Sequence, residues 1–276
     1  MQSLKDHVIL YDEECPMCQL YTKAFVKTGM LDKTGRACYQ QMPNEVAGCV
    51  DRQRAVNEIA LVNRKTGEVQ YGIRSLFSII GHAFPVFKRL FNFKPFLWLM
   101  SKVYAFVSYN RRVIIPIDTG RLYWPQPAFL LPYRIAYLIF TWVITAWILS
   151  HYARLLTGAV PAGGPLREYM VCGGQILFQG IIAGILYRRK AWDYLGNMMT
   201  ISLAGALLLL PGLLLASFLA LSPLFYTAYF LAVAGLMLLE HIRRTRLLNT
   251  GWILTGSWVA YRLGVLLIIF YFGKQA

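Results

Sequence analysis

The 276 residues are 57% hydrophobic with a mean hydropathy of +0.46, an apolar load that excludes a wholly soluble globular chain and calls for membrane segments. A net charge of +15 could serve nucleic acid, but the basic residues flank apolar spans, so anionic lipid is the expected partner and nucleic acid is not. Residues 1–132 carry 17 basic and 10 acidic side chains and residues 133–276 carry 11 and 3, so a soluble domain with a basic surface is expected before an apolar block with basic loops.

Lys5, Asp6 and His7 lead straight into a short apolar run, so no signal peptide is expected. Residues 7–11 read as a buried central strand. Residues 16–29 read as a helix, with Pro16 at the first helical position, where its missing N–H is harmless, and Gly29 at its end. A second strand is expected over 36–40 and a second helix around 43–50. A third strand is expected over 57–63, a turn over 65–68 and a fourth strand over 69–71. A helix over 74–82 closes the series. The order β-α-β-α-β-β-α is that of a thioredoxin-like domain.

Cys15-Pro16-Met17-Cys18 falls between the first strand and the first helix. Backbone N–H groups and the positive helix end favour a thiolate there. Two intervening residues put the second sulfur one helical turn from the first, within reach of a disulfide. Cys15, exposed at the helix start, is the candidate attacking thiolate, and Cys18 the resolving thiol, more buried and one turn inward. Asp12 is the third candidate. Its carboxylate either caps the helix or turn through backbone N–H groups, or accepts a proton from Cys18 directly or through water. Glu13 and Glu14 read as solvated and as slightly opposing the thiolate.

Five cysteines are too few and too scattered for a secreted disulfide scaffold, and a lone close pair points to redox or metal chemistry. Zinc would need Cys38 and Cys49 beside Cys15 and Cys18. Ten residues lie between Cys38 and Cys49, and an apolar strand rather than a glycine knuckle precedes Cys15. No metal and no cofactor is expected. A Cys-x-x-Cys that recurs by chance, without function, is the plain alternative.

Asp12-Glu13-Glu14-Cys15-Pro16-Met17-Cys18 resembles the Asp-x-x-Cys-x-x-Cys signature of the DCC family of thiol–disulfide oxidoreductases. Thr66-Gly67-Glu68-Val69-Gln70-Tyr71-Gly72 is similar to that family's glycine-bearing hairpin. Tyr104 to Arg112 is similar to its closing segment, which tends to end in Asn-Arg. The resemblance covers roughly residues 5–115. It implies a thioredoxin-like fold and protein-disulfide reductase activity, with poorly defined substrates. One departure concerns substrate docking: thioredoxins place a cis-proline before the third strand, and the run Arg52-Gln53-Arg54-Ala55-Val56 holds none.

Residues 84–112 interleave aromatics with Lys88, Arg89, Lys94 and Lys102. They read either as an interfacial helix on an anionic leaflet or as a helix packed on the domain's own sheet. Residues 116–132 read as a linker. Membrane spans are expected near 133–156, 169–187, 195–219, 224–240 and 252–272, with a kink at Pro211. Basic clusters at Arg111, Arg112 and Arg121, at Arg188, Arg189 and Lys190, and at Arg243, Arg244 and Arg246 fall on one side, which should be cytoplasmic together with the N-terminal domain. Cys172 stands alone, so no intramembrane dithiol relay is expected. His151 and His241 read as lying at span ends, which speaks against haem. Arg262 is the one ionisable residue at mid-span. It either binds an anionic head group or substrate, or is satisfied locally by carbonyls or by snorkelling.

The fold class expected is therefore an α/β thioredoxin-like domain (1–115) followed by an all-α transmembrane domain of about five helices (133–276). The leading functional reading is a membrane-tethered thiol–disulfide oxidoreductase. Its partners would be a disulfide-containing protein or small thiol substrate, a cellular thiol reductant and the lipid bilayer. The alternative is a membrane transport or lipid-binding protein whose cytoplasmic domain senses redox state or binds zinc.

Overall fold

The computed structural model describes residues 2–117 and 127–273, and the chain divides into two compact units, Met1–Tyr133 and Arg134–Ala276. Most of the expected linker, with Arg121, lies outside the described residues.

The first unit is built on β1 (His7–Tyr11), whose three inner residues are fully buried. A strand apolar on both faces belongs in the middle of a covered sheet. It lies there, in a four-stranded mixed sheet of order β2-β1-β3-β4, with β2 at Arg36–Cys38, β3 at Ala60–Asn63 and β4 at Val69–Tyr71. β1 runs parallel to β2 and antiparallel to β3, with Leu10 opposite both Ala37 and Ala60, and β3 and β4 form an antiparallel hairpin. Alternation along β1 splits the core in two. Ile9 points to one face with Phe25, Leu61 and Ile79. Val8 and Leu10 point to the other with Val46, Val56 and Val62.

Helices cover both faces. α1 (Pro16–Lys27) starts at its proline and stops just short of Gly29, whose φ of 75° is the left-handed conformation a glycine takes without strain. α2 (Asn44–Ala47) is a single turn. α3 (Arg52–Asn57) corrects the expectation of a strand starting at Asn57. The Asp51 carboxylate accepts the Arg54 N–H at 3.1 Å and caps a helix there, so β3 begins only at Ala60. α4 (Ile73–Ala83) follows the hairpin. α5 (Lys88–Asn92) and α6 (Lys94–Ile114) complete the unit. α6 packs on the α/β unit: the Ile59 N–H donates to the Tyr104 hydroxyl at 3.0 Å, and Ser108 Oγ donates to the Asn57 carbonyl at 2.5 Å. Phe93 and Trp98 remain exposed in the same stretch.

The second unit contains five helices long and apolar enough to cross a membrane. They are α7 (Leu131–Tyr152, continued by a short 3-10 turn), α8 (Arg167–Leu186), α9 (Ala191–Ala216), α10 (Pro223–Leu247) and α11 (Gly251–Gly273). α9 runs through Pro211 without ending. A proline removes one N–H from the ladder and crowds the turn before it. In that turn the Tyr229 hydroxyl of α10 donates to the Leu208 carbonyl at 2.7 Å. α10 passes the point where a loop was expected. Glu240 accepts from both Arg243 and Arg244, and Arg244 also donates to Asn197 at 3.0 Å, so these charges are satisfied within a helix. His241 thereby lies inside the bundle rather than at a span end. It is 1% exposed, hydrogen-bonded to Tyr194 and Thr255 and stacked on Trp258.

Candidate functional site

The site forms where β1 ends and α1 begins. Tyr11 closes the strand, the Asp12 carbonyl accepts the Cys15 N–H at 3.1 Å, and the chain turns into the helix at Pro16. Cys15 is itself the N-cap residue, with extended backbone, and its Sγ accepts the Cys18 N–H at 3.3 Å. The sulfur thus occupies the place that a serine or aspartate oxygen usually fills, facing unsatisfied N–H groups at the positive helix end. Cys18 lies one turn on, on the inner face of α1 with Thr22 and Phe25; both thiols are only 4% exposed, so Cys15 is not the exposed thiol expected and Cys18 is no more buried than it.

The environment separates the two thiols. A hydrogen bond from Cys18 is the largest influence on Cys15, and the Arg111 charge and the Cys18 N–H act the same way. Together they outweigh burial and bring its pKa down to about 6. Cys18 moves the opposite way, pushed up by donating that hydrogen bond, then by burial and by the nearby Cys15 charge. Tyr21, hydrogen-bonded to Cys18, is also raised, chiefly by burial. One thiol is therefore poised as an anion while its neighbour keeps its proton.

Asp12 is 2% exposed and holds the site's ionic framework. Its Oδ1 accepts the Glu14 N–H at 3.1 Å and Gln40 Nε2 at 2.8 Å. Its Oδ2 accepts from Arg111 Nη2 at 2.8 Å and Arg112 Nη2 at 3.1 Å. Of the two roles expected for Asp12, the geometry fits capping of the turn. Both oxygens are engaged by donors, whereas the cap of the helix itself is Cys15. Glu14 is not solvated as expected: it pairs with Arg112 at 3.2 Å.

Arg111 comes from the far end of the unit's chain, 4% exposed on α6. The same Nη2 that holds Asp12 donates to the Val56 carbonyl at 2.8 Å. That carbonyl ends the proline-free run before β3, so an arginine tethers the segment noted for its missing proline. Burial is the largest single influence on Arg111 and opposes its charge, but Cys18, Asp12 and Cys15 outweigh it and raise its pKa. Arg111, Arg112 and Gln40 carry no local signal that links them to the dithiol; only the similarity of the segment ending at Arg112 to a family's closing segment pointed that way.

Among the described residues, no group of three or more His, Cys, Asp or Glu side chains is arranged to hold a metal ion. Cys38 pairs with Tyr11 across the sheet. Cys49 is exposed and lies by the β3–β4 turn, where its Sγ is 3.2 Å from the position a Cβ would take on Gly67, at the other end of the sheet from Cys15. The four thiols do not converge. A cleft of about 1290 Å³ borders β4, α4 and α6, but Tyr104 lines it and neither dithiol cysteine does. Comparison of the chain with protein-family models, curated proteins and solved structures finds no match.

Proposed function

We propose that the chain is a membrane-tethered thiol–disulfide oxidoreductase of the protein-disulfide reductase type, with a DCC-like, thioredoxin-like N-terminal domain. The observation that carries this reading is the split dithiol at the start of α1, with Cys15 lowered to about 6 and Cys18 raised. The order of the strands and helices, and the position of the dithiol after β1, support the thioredoxin-like assignment.

In this reaction the Cys15 thiolate attacks one sulfur of a substrate disulfide. A Cys15–substrate bond forms, the substrate S–S bond breaks, and the first substrate thiolate leaves and takes a proton from solvent. The charge on Cys15 is now gone, which removes the feature that held the Cys18 proton. Cys18 loses that proton to solvent, with Arg111 stabilising the developing anion, and attacks Cys15 Sγ. The Cys15–substrate bond breaks, and the second substrate thiolate departs and takes up a proton from solvent in place of the one Cys18 released. The substrate has gained two electrons and two protons, and the protein carries a Cys15–Cys18 disulfide that a cellular thiol reductant returns to the dithiol. Asp12 orients the arginines and the turn rather than moving protons. Basic residues after α8 and near the end of α10 support a cytoplasmic N-terminal unit and a multi-pass anchorage in the bilayer.

The burial of Cys15 favours a second reading, in which the domain senses redox state on behalf of a membrane transport or lipid-binding unit. A buried thiol meets a bulky substrate only after its cover opens. The test is reduction of a disulfide-linked protein such as insulin by the full chain in nanodiscs with a thiol donor. Catalytic turnover is expected, with loss in Cys15→Ser and accumulation of a mixed disulfide in Cys18→Ser. A wild type that exchanges once with small disulfides and never turns over protein disulfides supports the sensor.

A further inference from the structure

The five membrane-type helices line a small cavity of about 60 Å³, mostly apolar but with a few polar side chains on its wall. Every helix of the second unit contributes: Thr145 from α7, Cys172 and Gln175 from α8, Ser202 from α9, apolar side chains from α10, and Arg262 from α11. Three polar atoms on residues that line it, Thr145 Oγ1, Gln175 Nε2 and Arg262 Nε, are buried and have no hydrogen-bond partner. Thr145 is 2% exposed and Gln175 7%. Buried polar groups are nearly always partnered, so three orphans on residues gathered around one void mark a place where something binds.

Charge identifies what binds there. The second unit has three carboxylates, and each is engaged by another arginine. Asp193 pairs with Arg134, Glu168 with Arg167, and Glu240 with Arg243 and Arg244. Arg262 has no carboxylate among the described residues, and its guanidinium lies 3.8 Å over the Trp258 ring. A cation at mid-span without a counter-charge is costly, and a ring face offsets only part of that cost. The orphan atoms also share a sense. An arginine N–H and an amide NH₂ can only donate, and a threonine hydroxyl can do so. Water accepts two such bonds, brings two protons of its own and leaves the charge uncompensated. The volume is about that of two waters, at roughly 30 Å³ each, too little for a lipid phosphodiester with its glycerol.

We propose that the centre of the five-helix unit is a binding site for a small monovalent anion of chloride size, held by Arg262, Gln175 and Thr145. The anion completes the ion pair that this unit's own acidic residues leave open, and it ties α7, α8 and α11 together. Because it binds the folded bundle, its concentration sets the bundle's stability.

The test is thermal unfolding of the full chain in nanodiscs, followed by tryptophan fluorescence, in sodium chloride against sodium gluconate at equal ionic strength. The wild-type midpoint is expected to rise with chloride, and Arg262→Gln is expected to show a flat response. The double variant Thr145→Val/Gln175→Leu keeps the charge and removes two donors. It should need at least about tenfold more chloride for the same rise, since a hydrogen bond to a charged group contributes about that factor. Equal wild-type midpoints in chloride and gluconate would mean the cavity holds only water, and the proposal falls. It also falls if Arg262→Gln keeps the full chloride response, which would place the anion elsewhere. If Arg262→Gln does not fold, the double variant decides: an unchanged chloride requirement overturns the site.

Discussion

Arg111→Gln tests the framework beneath the dithiol. Arg111 and Asp12 are 4% and 2% exposed and meet at 2.8 Å. Removing one side of a buried pair costs about 3–5 kcal/mol, because the other charge is left uncompensated. Asp12 would keep Arg112 at 3.1 Å together with the Gln40 and Glu14 donors, so the expected loss lies at the low end, about 3 kcal/mol. The Val56 carbonyl loses its donor as well. Amide hydrogen exchange of the full chain in nanodiscs reads this locally: the β1 and β3 amides should exchange about a hundredfold faster if they open with the unit. The same substitution deletes a charge that lowers Cys15, so thiol alkylation should half-saturate at higher pH than in the wild type. Arg112→Gln, at a side chain 19% exposed, should cost only about 1 kcal/mol. An Arg111→Gln protein with wild-type exchange and a wild-type alkylation profile would refute the assignment of Arg111 as the site's buried counter-charge.

Other outcomes follow from the same geometry. Reduced protein should gain stability as pH rises from about 6 towards 9. The folded Cys15 pKa lies below its unfolded value, so the unfolded chain binds more protons across that window, and the gain is lost as pH falls through the folded value. Exchange-derived stability of the first unit against pH, compared with Cys15→Ser, measures it, and parallel curves would count against the depressed pKa. Gly72→Ala should destabilise the first unit by at least about 1–3 kcal/mol. Gly72 has φ 64°, and an added Cβ would sit 2.9 Å from Glu58 Oε2 and 3.3 Å from the Tyr104 ring; exchange of the β4 amides reports the effect. Tyr229→Phe should lower the thermal midpoint of the second unit by an amount equivalent to about 1 kcal/mol, as it removes the hydrogen bond from α10 to the Leu208 carbonyl of α9.

Much of the secondary structure was written locally. The apolar run at 7–11 and the short run at 69–71 became β1 and β4 with the expected ends, since each is bounded by charge or a turn. Pro16 and Gly29 bracket α1 as their backbone preferences dictate. The five apolar stretches each became a long helix. The errors arose beside charged residues, where an element boundary was misplaced. Arg52, Gln53 and Arg54 form the solvent face of α3, and the missed signal was Asp51 at the N-cap. Arg243 and Arg244 extend α10, and the missed signal was Glu240, three and four residues earlier. The dithiol was legible because Cys-x-x-Cys before a helix is a local pattern. Its ionic framework was not, because Arg111 reaches Asp12 across 99 residues of sequence. The central cavity was half legible: Arg262 stood out as a mid-span charge, whereas the gathering of Thr145 and Gln175 around it depends on how three helices pack.

The most direct test of the central claim is site-resolved alkylation of the reduced full chain across pH, with each cysteine read by mass spectrometry. Cys15 is expected to be modified with a midpoint near pH 6 while Cys18 stays unmodified at neutral pH. A midpoint at Cys15 near that of a free thiol, about 8.5, or modification of Cys18 first, would contradict it.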